Sequence, residues 1–94
     1  MIKKTDLKTG MLVETEDSVL RVVLGNTLIS YKDGGCDLQW YDEDLNINIS
    51  VSNNCKIKKV YSEPYCSGGL CADLKFWLDE KNALNYSKLL WKKN

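Results

Sequence analysis

Turn-forming residues recur through the first two thirds of this chain, and only short β-prone runs lie between them. Thr9-Gly10, Glu16-Asp17-Ser18, Gly25-Asn26, Lys32-Asp33-Gly34-Gly35 and Asn53-Asn54 are the breaks. Asp-Gly and Gly-Gly supply the positive φ angles that a tight hairpin needs. Short runs at regular spacing, each closed by such a break, are the pattern of a small antiparallel β fold.

The runs themselves alternate. In Met11 to Thr15, Met11 and Val13 share one face, with Leu12 and Glu14 on the other. Val19 to Leu24 puts Leu20, Val22 and Leu24 together and Arg21 opposite, so the two runs read as a hairpin. Thr27 to Tyr31 and Cys36 to Tyr41 are the next pair. Leu45 to Val51 is the cleanest period-two segment, with Leu45, Ile47, Ile49 and Val51 facing one way and Asn46, Asn48 and Ser50 the other. That is a strand with one buried and one wet face. Cys55 to Tyr61 follows, but its alternation fails at Lys58-Lys59, which suggests a bulge or an edge strand blunted by lysines.

From Leu70 the period changes. Leu70, Leu74, Trp77 and Leu78 recur at helical spacing, which predicts a helix near 70–81, with Asp73 early and Lys81 late to suit its dipole. Residues 84–92 fit a helix or a strand, and a final strand is preferred because a small sheet needs a partner for its open edge. The expectation is one mainly β domain over 1–94, a small antiparallel SH3-like barrel of five to six short strands with one helix in the C-terminal half. A hydrophobic share of 44% is enough for such a core.

Charge narrows the function. Lys plus Arg and Asp plus Glu both number 13, and histidine is absent. A neutral balance argues against nucleic-acid binding as the main task, since that draws on a basic excess. Lack of histidine removes the commonest general base and metal ligand, and no nucleophile–base pair stands out, so no catalytic residue is assigned and the chain is read as non-enzymatic. MIKKTDLKTG has no apolar signal-peptide core and no run is long enough to cross a membrane, which predicts a cytoplasmic protein with reduced cysteines. Abundant Asn and Lys with scarce Ala, Pro and Arg match the usage of an AT-rich bacterial or phage genome.

Three clusters are candidates for chemistry. Residues 36–61 hold the densest aromatic and acidic stretch, and Trp40, Tyr41, Asp42, Glu43 and Asp44 within it make an amphipathic patch suited to a protein partner. A run of carboxylates also mimics nucleic acid toward a basic cleft. The same acids lack the spacing and glycine of a calcium loop, so no metal is assigned to them. Lys56, Lys58 and Lys59 with Tyr61 form the alternative, a basic strand for nucleic acid or nucleotide, against which stands the plainer reading of a lysine-guarded edge. Cys36, Cys55, Cys66 and Cys71 are able to bind zinc as four thiolates, but their spacing lacks two tight knuckles. Cys36 and Cys55 are better read as small buried strand residues and the other two as flanks of a loop. Gly68-Gly69 before a helix is a weak anion-site signal. No cofactor is implied.

The segments LKTGMLVETEDSVLRVVLGNTLIS, WYDEDL, IKKVYS and LLWKK, taken together, resemble a set of small uncharacterised proteins of phages and prophages of low-GC Gram-positive bacteria. This chain departs from them at Cys66-Ser67-Gly68-Gly69-Leu70-Cys71 and at Lys92-Lys93, where an acidic–basic pair is usual. The resemblance implies a mobile-element setting and no particular activity. In that setting, the expected role is protein–protein recognition of a host protein, for example inhibition of a defence nuclease in the manner of an anti-CRISPR protein.

Overall fold

Alternation in the first two strands sorts their side chains onto two faces, and in the folded chain both faces are covered. The computed structural model describes residues 2–31, 35–47, 55–64 and 75–93. Strands β1 (Leu12–Thr15), β2 (Leu20–Leu24), β3 (Thr27–Ile29) and β4 (Cys36–Asp37) form an antiparallel meander. β5 (Ile57–Tyr61) returns to pair with the free side of β1, and β6 (Leu89–Lys92) pairs with β5. The order across the six-stranded sheet is β4-β3-β2-β1-β5-β6. Among the described residues β4 and β6 do not pair with each other, so the sheet is open and the closure expected of a barrel is not seen.

The first face carries the larger core. Met11, Val13, Val23, Leu28, Ile57 and Val60 meet Cys36, Leu38, Tyr41, Leu45, Ile47 and Cys55 from the excursion between β3 and β5. Ile2 and Leu7, flanking the 3-10 helix Lys4–Asp6, pack at its margin. Each large side chain buried this way contributes roughly 1.5–3 kcal/mol. Gly35 sits at φ +95°, and a Cβ there would run into the Leu28 carbonyl, so the approach of β4 to β3 requires glycine.

The second face is sealed by the C-terminal segment. Leu12, Leu20 and Val22 lie under Leu78 and Ala83. The helix expected near 70–81 is, over its described part, a single π turn Lys75–Asp79, in which the Glu80 N–H donates to the Lys75 carbonyl at 3.1 Å. The 3-10 helix Asn82–Tyr86 follows, and Lys81 at φ +59° redirects the chain between the two. Leu78 and Ala83 must both reach the sheet, and a straight helix from 75 to 86 would turn one of them away. The rest of that expected helix lies outside the described residues. The preferred final strand is present as β6.

Three further expectations change. Leu45 to Val51 does not open as a strand: Leu45 has φ +65°, in the left-handed region, and only Ile47 bridges, to Tyr41. Residues 48–51 of that run lie outside the described residues. β5 is not an edge, since β1 and β6 flank it, and the broken alternation at Lys58 is a bulge. Thr15 faces Ile57 while Glu14 faces Lys59, which leaves Lys58 as the extra residue. The cysteines are not all thiols, because Cys36 and Cys55 are joined by a disulfide inside the first core. Both are buried, as expected, but Cys55 precedes β5 instead of lying in a strand. The pairing was illegible because the two are 19 residues apart and only the excursion's path brings them together. Cys66, Cys71 and the Gly68-Gly69 loop lie outside the described residues.

Candidate binding surface

The acidic stretch is shaped by one side chain. The Asp42 carboxylate accepts the backbone N–H groups of Asp44 at 2.9 Å and Asn46 at 3.0 Å. The Asp42 N–H donates to the Asn46 carbonyl at 2.9 Å and the Leu45 N–H to the Asp42 carbonyl at 3.0 Å. Aspartate is suited to this because its short side chain reaches its own backbone two to four residues on. The Asn46 N–H chiefly holds the Asp42 carboxyl below the usual carboxylate range, with the Asp44 N–H and the Lys4 ammonium adding to it. Burial of Leu45 and Ile47 pins the turn to the core and leaves Glu43, Asp44 and Asn46 exposed.

Trp40 and Tyr41 part company here. Trp40 ends the short 3-10 helix Leu38–Trp40, in which the Gln39 N–H donates to the Asp37 carboxylate, and the residue is 39% exposed. Tyr41 is 3% exposed, and its hydroxyl donates to the Cys55 carbonyl. Its phenol is therefore pushed well above the usual range, chiefly by burial. The surface patch thus consists of Trp40, Asp42, Glu43 and Asp44, with Tyr41 beneath it as an anchor. A shallow groove of about 340 Å³ runs between Trp40 and the turn.

The N-terminal segment braces the turn and trims its charge. The Lys4 N–H donates to the Glu43 carbonyl and its ammonium to the Tyr41 carbonyl, both at 2.9 Å. Lys3 stands 3.8 Å from Asp44 in an exposed, weak pair. Glu43 has no ion pair among those resolved for the described residues. Asp42, Glu43 and Asp44 outnumber the two lysines of this segment.

The basic set does not share one face. Lys59 stands beside Glu14 at 3.9 Å, and Tyr61 packs against the second core. Lys58, at the bulge, donates to the Ser18 hydroxyl at 3.1 Å. Lys56 lines another groove with Trp91 and Lys93, whose opposite wall is Asp44 and Asn46 of the acidic turn. Among the described residues there is no group of three or more His, Cys, Asp or Glu placed to hold a metal ion, and no helix long and apolar enough to cross a membrane.

Comparison with family models, with curated proteins and with solved structures gives no match.

Sequence reasoning missed the buried polar network beside the patch. Arg21 is 1% exposed, donating from Nε to Thr15 Oγ1 at 3.2 Å and from its guanidinium to Asp17 Oδ2 at 3.3 Å. Its position opposite Leu20 and Val22 reads as a wet face. Val23, the next residue on that same face, was the available sign that this side is buried too. Glu14 is likewise nearly buried and accepts from Lys81 at 2.7 Å, tying the C-terminal segment to β1.

Proposed function

We propose that this protein is a small non-enzymatic binding module that recognises a protein partner through the Asp42 turn. The observation that carries this reading is the internal capping of the turn by Asp42, which holds Glu43 and Asp44 outward beside the exposed Trp40. A preorganised turn loses little conformational entropy on binding, and a ring beside closely spaced carboxylates combines desolvated contact area with charge steering. The complementary partner surface is a basic cleft with an apolar slot. Clefts that bind nucleic acid have that character, and the resemblance to phage proteins makes a host defence nuclease a partner of this kind. The β1–β4 meander with β5 returning to β1 supports an SH3-like arrangement as the scaffold.

Capture from bacterial lysate, with and without nuclease and read by native mass spectrometry, tests this. The wild-type chain is expected to retain a stoichiometric protein after nuclease treatment, and Glu43→Lys with Asp44→Lys to lose it. Undiminished capture by that variant, or recovery of nucleic acid alone, would overturn the reading.

A further inference from the structure

The two halves of the disulfide bracket the binding turn. Cys36 leaves the sheet from β4, Cys55 re-enters it before β5, and the loop between them carries Trp40 and the Asp42 turn. Besides the Lys4 brace, two fastenings adjoin the disulfide: the Tyr41 hydroxyl donates to the Cys55 carbonyl, and Leu45 and Ile47 pack in the cluster that contains both sulfurs. Both fastenings adjoin the Cys36–Cys55 bond, so a change there reaches the turn directly.

We infer that the Cys36–Cys55 disulfide is a redox switch for the acidic turn, which is ordered for binding when the bond is formed and loosened when it is reduced. The inference rests on the proposed role of that turn. Cys55, at 8% exposed against 1% for Cys36, is the sulfur a reductant reaches first. A thiolate of a dithiol reductant attacks the Cys55 Sγ and expels the Cys36 thiolate. The second thiol of the reductant then displaces Cys55. The disulfide has gained two electrons and two protons, and the reductant leaves as its own cyclic disulfide. Burial of both sulfurs makes the exchange slow until the packing around them opens. Once reduced, the loop regains conformations that the cross-link forbade, and the fraction holding the Asp42 hydrogen bonds falls.

Amide hydrogen exchange on the oxidised protein and on protein treated with dithiothreitol reads the switch without any partner. Differential alkylation and peptide mapping first establish which cysteines are paired. Exchange at the Asp42, Leu45 and Asn46 amides is expected to rise on the order of tenfold on reduction. The Val23 amide, which donates to the Met11 carbonyl in the hairpin, should be unchanged. Affinity for poly-lysine should fall by a similar factor, because apparent affinity scales with the competent fraction. Unchanged exchange at the turn, Cys36 and Cys55 mapped as free thiols in untreated protein, or equal acceleration at Val23 would each overturn the switch. Cys36→Ser with Cys55→Ser should match the reduced form. Should that variant fail to fold, Tyr41→Phe keeps the disulfide, cuts one fastening, and should loosen the turn by a smaller factor in the oxidised state. Loosening on reduction together with poly-lysine binding indifferent to Glu43→Lys and Asp44→Lys would leave the switch standing and remove the binding role.

Discussion

The two faces of the sheet are closed by different means. The first is closed by a disulfide, a buried tyrosine hydrogen bond and a contiguous apolar cluster, with a buried arginine at one end. The second is closed by a strap of π and 3-10 turns that contributes Leu78 and Ala83 and one ion pair, Glu14 with Lys81. The difference teaches where rigidity is concentrated. The acidic turn grows out of the strongly closed face, where its own hydrogen bonds hold its backbone. Among its described residues the strap has neither a cross-link nor a regular helix.

The comparison breaks most visibly at Arg21. Arg21→Ala removes both the buried cation of Asp17 and the packed stem of the side chain and should destabilise by about 4 kcal/mol in denaturant unfolding, whereas Arg21→Met keeps the packing and should recover the part of that loss owed to the cavity. Equal effects of the two would mean that charge pairing, not packing, holds that end of the core. A matched pair of leucines weighs one face against the other. Leu28→Ala and Leu78→Ala remove the same atoms from fully buried sites. The first should cost about 4 kcal/mol and the second about 2, because the strap is able to sink into its cavity and β3 is not. Indistinguishable losses would show that the strap is as rigid as the sheet.

Tyr41→Phe sharpens the contrast at smaller scale. It leaves the Cys55 carbonyl without its donor and should cost about 1–2 kcal/mol. The pH signature is distinct. Burial raises the Tyr41 phenol above its ordinary value of 10.0, so its stabilising effect is fully present below that pH. Above it the unfolded chain releases this proton and the folded chain keeps it, and stability falls as pH rises. Thermal unfolding of the wild type should therefore drop more steeply than that of Tyr41→Phe above about pH 10. The smallest effect is expected on the other face, where Glu14→Gln should cost about 1 kcal/mol and depend on salt, since Lys81 is partly solvated.

Much of the scaffold was legible because its causes are local. Thr9-Gly10, the Glu16–Ser18 turn and Gly25-Asn26 bound strands wherever the chain is forced to reverse, and alternation assigned Met11 and Val13 to one face and Leu12 to the other. The acidic turn was visible as composition, but its division was not. Trp40 and Tyr41 are neighbours of similar chemistry, and only the 3-10 turn before them decides that one ring points outward and the other into the core. The lysines of β5 show the opposite error. Three cations within four residues look like one surface, yet the bulge at Lys58 sends them to three different neighbourhoods.

The order of turns and alternating runs by itself determined a mainly β chain, because φ preferences and side-chain period act within a few residues. It also determined an acidic, aromatic segment in the middle of the chain. Tertiary structure alone decided that β5 lies inside the sheet, that both sheet faces are buried, and that Cys36 meets Cys55. It also decided that Leu45 begins a turn instead of a strand. Each of these depends on contacts between residues far apart in the chain, where burial and hydrogen bonding outweigh local preference.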